Sequence, residues 1–130
     1  MCSGNGTLES IVIGNNVTYL PRSFENCVNL RNVVLGNNMK TISNNSFTGC
    51  SNLTTITIPN SVKSIGGDCF RYCGRLSNIY LNPITPPYLS NIYAIPDTTT
   101  IHVPVGSGNT YRNATNWSYH ATRIIEDPEL

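Results

Sequence analysis

The feature that most constrains this chain is that it repeats itself. Cys27, Cys50 and Cys73 are spaced by 23 residues, as are Phe24, Phe47 and Phe70, and Leu8, Leu30, Leu53 and Leu76 recur at intervals of 22, 23 and 23. Each interval also holds an alternating apolar pair, Ile11/Ile13, Val33/Leu35, Ile56/Ile58 and Ile79/Leu81. A second pair follows the first three: Val17/Leu20, Met39/Ile42 and Val62/Ile65. A period in the twenties defines a solenoid, because one such unit has too little apolar surface to bury alone and a stack shares a continuous core. The alternating pair predicts a short strand with one face inward and one outward, and strands of successive coils pair in parallel about 4.8 Å apart. Phe and Cys three residues apart fit one helical turn facing the core, and Gly14, Gly36 and Pro59 punctuate the strand ends. The predicted coil is strand, turn, short extended piece, one helical turn.

At 130 residues the chain supports about one domain with a modest core, so a two-domain enzyme is not expected. Charged residues are 12% of the total, against about 25% in an average domain, and the net charge is +1. Such a chain has no field with which to gather DNA, RNA or an acidic membrane. No apolar run approaches the roughly 20 residues of a membrane span, and no charged start and apolar core of a signal peptide precede Cys2. The chain therefore reads as soluble.

The unit "CSNLTTITIPNSVKSIGGDCFRYC", residues 50–73, resembles the BspA-like, or treponemal-class, leucine-rich repeats found mostly in bacterial surface proteins, with Cys69 where that family usually has alanine. The resemblance covers almost the whole chain. It implies a right-handed β/α superhelix of parallel strands, one per coil, with cell-surface or secreted placement in a bacterium. Its roles would be adhesion or binding rather than catalysis.

Four coils are expected over 1–82, and over 83–130 a variant fifth coil followed by a C-terminal cap, all in one domain. Ile79 to Ile101 and Leu81 to Val103 are both 22 residues apart, which places a fifth strand at 101–103. Pro83, Pro86, Pro87 and Pro96 lack amide donors and fix the backbone, which suits a coil leaving the regular path. The stretch Thr85-Pro86-Pro87 and the later Val103-Pro104, Gly106-Ser107, Tyr111 and Asn116-Trp117 also resemble the closing segment common in the family, which implies a cap. A cap is needed physically, since the last strand otherwise offers unpaired amides and an apolar cross-section. A short helix near 108–115 carrying Tyr111, then Trp117 and Ile124/Ile125, supplies that lid. Residues 1–7, "MCSGNGT", are polar and glycine-rich, so the first coil's end is expected to be uncovered. The chain reads as the C-terminal part or another fragment of a longer protein, with Met1 an artificial start.

Cys27, Cys50 and Cys73 share one repeat position and should form a buried, reduced ladder of small apolar side chains. Residues stacked one coil apart lie near disulfide distance but lack its dihedral geometry. Cys69 and Cys73 have no second ligand pair and the histidines fall at no ligand spacing, so no metal and no cofactor is expected. Cys2 is open to a lipoprotein reading, against which stands the lack of a preceding signal. Catalysis needs a nucleophile beside a base, paired carboxylates or a metal. Only His102 and His120 are present, and the one carboxylate pair near either in sequence is Glu126/Asp127. No catalytic residue is assigned. Sequons at Asn5, Asn16, Asn44, Asn52, Asn113 and Asn116 read first as turn residues, since asparagine bonds local backbone and tolerates left-handed conformations.

What remains is a surface. Val12, Val34, Thr57, Tyr80 and His102 lie between the inward pairs, one per strand, and should form a single outward row, flanked by Ser10, Asn32, Thr55 and Asn78 and then by Glu9, Arg31, Thr54 and Ser77. Thr57, Tyr80 and His102 are the candidate ligand-binding residues, for a protein or glycan on a host or neighbouring cell. The alternatives are an ordinary solvated sheet whose β-branched residues serve strand propensity, and structural spacer repeats with no ligand of their own. Tyr111, Trp117 and Tyr119 offer carbohydrate contacts or, alternatively, the core of the cap.

Overall fold

The computed structural model describes residues 2–130; Met1 lies outside them. Parallel strands β1 (Ser10–Val12), β3 (Asn32–Val34), β5 (Thr55–Ile58), β7 (Asn78–Leu81) and β9 (Thr100–Pro104) follow one another coil by coil, and β10 (Ile124–Asp127) adds alongside β9. Their register matches the repeat: Ile11 opposes Val33, Ile56 opposes Ile79, and Ile79 opposes Ile101. The extended piece of each coil forms a second parallel sheet of two-residue strands, β2 (Tyr19–Leu20), β4 (Thr41–Ile42), β6 (Ser64–Ile65) and β8 (Tyr88–Leu89). Between the sheets lies the core, where Leu30, Phe47, Leu53, Ile58 and Leu81 are fully buried.

The third side of the first four coils is a hydrogen-bonded turn, and in the fifth it is a short 3-10 helix, Ile92–Ala94. The amides of Cys27, Cys50 and Cys73 donate to the carbonyls of Phe24, Phe47 and Phe70 three residues earlier, at 3.1–3.2 Å. The phenylalanines form one stack, with ring centroids 5.7 Å apart for Phe24–Phe47 and 5.5 Å for Phe47–Phe70. The thiols run beside it. Cys27 Sγ donates to Cys2 O, Cys50 Sγ to Phe24 O and Cys73 Sγ to Phe47 O, at 3.0–3.1 Å, and all three cysteines are free. A buried S–H so bonded to the preceding coil is held away from its neighbours' sulfurs. Burial, then the neighbouring thiol, pushes Cys50 and Cys73 up to about 12.

Three expectations need correction. The outward row is not one continuous ladder, because β1–β3 and β5–β7–β9–β10 are separate sheets. Asn82 N donates to Ile58 O at 3.0 Å at the end of β7, but the matching residue one coil earlier is Pro59, which has no N–H to give. The proline-rich segment does not leave the path: Tyr88 and Leu89 pair in register with Ser64 and Ile65. An extra residue relative to the preceding coils is absorbed before β8. Finally, Ile125 is exposed rather than part of the lid, because alternation along β10 sends Ile124 inward and Ile125 out beside His102.

The cap works by substituting donors. In the second sheet each coil's carbonyls are met by amides of the next, as when Tyr88 N reaches Lys63 O and Ser90 N reaches Ile65 O. The corresponding carbonyls of the last such coil, Pro87 O and Leu89 O, are met instead by Trp117 Nε1 at 2.8 Å and Asn116 Nδ2 at 2.6 Å. Tyr111, on the short helix α1 (Gly108–Arg112), donates its hydroxyl to Pro83 O at 2.6 Å and packs edge-on against Trp117. Arg123 donates to Pro96 O and Thr99 O. Satisfying these buried carbonyls while covering the apolar cross-section is what ends a parallel stack. At the other end Leu8, Ile11 and Ile13 are only half-buried.

Candidate functional site

The sheet brings Thr57, Tyr80, His102 and Ile125 into one outward register, and Val12 opposes Val34 in the neighbouring pair. Val12 and Val34 are 76% and 55% exposed, far more than β-branched residues on a core strand. His102 differs from its neighbours. Its Nδ1 lies 2.9 Å from Asp127 Oδ2 and its Nε2 2.7 Å from Asn78 Oδ1, and only 13% of the side chain meets solvent. The clamp holds the imidazole against Tyr80, ring centroids 4.3 Å apart and tilted by 30°. Of the three predicted residues, Thr57 is exposed, Tyr80 is half-buried, and His102, bonded to Asn78 and Asp127, packs against Tyr80. Asp127 escaped assignment because pairing of β10 to β9, which no repeat predicts, brings it there.

The His102–Asp127 pair is not poised as a catalytic dyad. In such an arrangement the far nitrogen faces a nucleophile, whereas here it faces Asn78 Oδ1. The second histidine belongs to the cap: His120 is fully buried, with Nε2 3.0 Å from Ile92 O and Nδ1 against the Arg123 guanidinium. Among the described residues no three His, Cys, Asp or Glu side chains converge as a metal would need, and no helix is long and apolar enough to cross a membrane.

A concave feature lies on the turn side, where the fourth and fifth coils meet the cap. A cleft of about 170 Å³ is lined by Arg71, Tyr72, Tyr93, Asp97 and Tyr119, with Ile92, Ile95 and Pro96 at its base. The Arg71 guanidinium sits 5.0 Å from the Tyr72 ring centroid and 4.7 Å from that of Tyr93. Tyr119 is the only one of the three cap aromatics weighed for carbohydrate that is exposed; Tyr111 and Trp117 are buried. The sequence did carry one signal for this cleft. Gly4, Asn26, Gly49 and Tyr72 occupy one repeat position, shown by Gly4 N to Glu25 O, Asn26 N to Thr48 O and Gly49 N to Arg71 O, and all four have φ between 60° and 78°. Glycine and asparagine tolerate that conformation, but a bulky side chain there is strained by roughly 1–2 kcal/mol.

Stacked coils, each with a strand, a second extended edge and a turn around one shared core, define a leucine-rich repeat solenoid. The chain belongs to the BspA-type leucine-rich repeat family, whose profile matches it in six copies over residues 2–111. Residues 2–8 fit that count, since they already form a repeat turn with Cys2 in the phenylalanine slot and Asn5 in the cysteine slot. No curated protein matches the chain. Repeats of this type are generally non-catalytic, commonly surface-related and protein-binding.

Proposed function

We propose that this chain is the binding module of a bacterial cell-surface or secreted protein, adhering to a protein partner through the outward faces of β1–β3 and of β5–β7–β9. The observation that carries the reading is a pair of neighbouring exposed patches, Val12 with Val34 on the β1–β3 pair and Thr57 beside Tyr80 on the β5–β7–β9–β10 sheet, apolar or amphipathic side chains that face outward. Aromatic anchors beside β-branched residues gain affinity because little rotamer freedom is lost on contact. In this reading Tyr80 and Thr57 make contact, and His102, clamped by Asn78 and Asp127, acts as a positioning residue for Tyr80. Binding of the intact chain to an array of extracellular-matrix proteins tests it. Val34→Glu and Tyr80→Ala should each weaken the strongest interaction at least about tenfold, while Lys40→Ala with Lys63→Ala, on the second sheet, should leave it unchanged. Unaltered binding by both sheet variants would reject the face. An array on which the parent chain binds nothing favours spacer repeats.

A further inference from the structure

The geometry points to a second binding site, independent of the sheet face, for a single neutral pyranose ring in the cleft between Tyr72, Tyr93 and Tyr119. Three observations support it. Tyr72, Tyr93 and Tyr119 are 68%, 53% and 54% exposed, and the Arg71 guanidinium lies against two of the rings. Exposed tyrosines, with only two side-chain torsions to fix, offer flat apolar area at little conformational cost, which suits the C–H face of a sugar. Polar groups stand at the rim where a sugar's hydroxyls would lie. Asp97 presents a carboxylate, 3.5 Å from the Tyr119 hydroxyl, to accept from hydroxyls, and Arg71 presents N–H donors.

The charges decide the ligand class. Arg71 has Asp68 beside it at 3.6 Å, and Asp97 adds a second carboxylate, so the cleft offers no excess cation for an anionic sugar. Nor does it suit an ammonium, because the Arg71 guanidinium, over one face each of Tyr72 and Tyr93, already stands where that cation would sit. Its volume of about 170 Å³ is on the scale of a single sugar ring. The third observation is the backbone of Tyr72, which holds a left-handed conformation, φ 64°, that the other coils assign to Gly4, Asn26 and Gly49. Strain kept at an exposed ring on the rim of a cleft is the pattern of a functional position.

The test is a two-dimensional NMR titration of the ¹⁵N-labelled chain with methyl glycosides of glucose, galactose, mannose and N-acetylglucosamine, and with sialic acid and glucosamine as charged comparators. The expected result is saturable shifts at residues 71–73, 92–97 and 119 with at least one neutral glycoside and weaker ones with the charged sugars. Tyr72→Gly restores the residue that Gly4 and Gly49 exemplify, so it should keep or raise the melting temperature while weakening binding at least about tenfold. Asp97→Asn should weaken binding too, and Tyr80→Ala should not, which separates this site from the sheet face. No shift with any of the four neutral glycosides overturns the proposal. So does preference for a charged sugar, or a Tyr72→Gly variant that binds like the parent or loses stability.

Discussion

Phe47→Ala tests the stacked core at its centre. Phe47 is fully buried, with Phe24 on one face and Phe70 on the other, the latter pair parallel to within 1°. The substitution leaves the backbone bonds of the turn intact, because Phe47 O still accepts from Cys50 N and Cys73 Sγ. The loss is therefore one of packing alone: a buried phenylalanine truncated to alanine costs about 3–5 kcal/mol, including two aromatic contacts of about 0.5–1.5 kcal/mol each. Phe24 has a ring on one side only, faces the half-buried first coil and is slightly exposed, so Phe24→Ala should cost about 2–3 kcal/mol. Against a total stability of about 5–15 kcal/mol the central change is severe, lowering the melting temperature by about 10–20 °C. Urea unfolding followed by circular dichroism measures both. A loss below about 1 kcal/mol for Phe47→Ala, or a larger loss for Phe24→Ala, would refute the stack as the element that joins the coils.

Two further outcomes follow from the buried thiols and the cap histidine. Cys27, Cys50 and Cys73, bonded through their S–H groups and raised in pKa by burial, should resist iodoacetamide in native buffer and react on unfolding, as mass spectrometry reads; rapid native labelling of all three would contradict the ladder. His120 must stay neutral to accept from Arg123 at Nδ1 while Nε2–H donates to Ile92 O, and burial and then Arg123 hold its pKa below 6.5. Because the unfolded chain then binds the proton more readily, stability falls as pH drops from about 6.5 towards the folded pKa, by at most about 1.4 kcal/mol per pH unit. Melting temperatures from neutral pH down to about 5 should therefore fall less steeply in His120→Gln than in the parent, and equal slopes would show that His120 does not titrate this way.

How much was legible depends on whether the information recurs. Phe24/Phe47/Phe70, the leucines and the alternating pairs each repeat at one coil's length, and every coil meets the same neighbours, so periodicity alone yields the parallel register, the shared core and the outward positions of Thr57 and Tyr80. A proline at 59 also removes one donor at the end of β5, where the next coil has Asn82 N on Ile58 O. Tertiary structure alone decided whatever happens once. The pairing of β10 with β9 puts Asp127 on His102, which with Asn78 holds the imidazole against Tyr80. The cap's side chains replace the amides of a coil that does not follow, which draws Trp117 and Tyr111 into the core and leaves Tyr119 outside. The cleft joins residue 72 of one coil to 93 and 97 of the next and 119 of the cap. Its one trace in the sequence is a tyrosine in a slot that other coils give to glycine or asparagine, and the left-handed backbone that makes this informative is visible only in the fold.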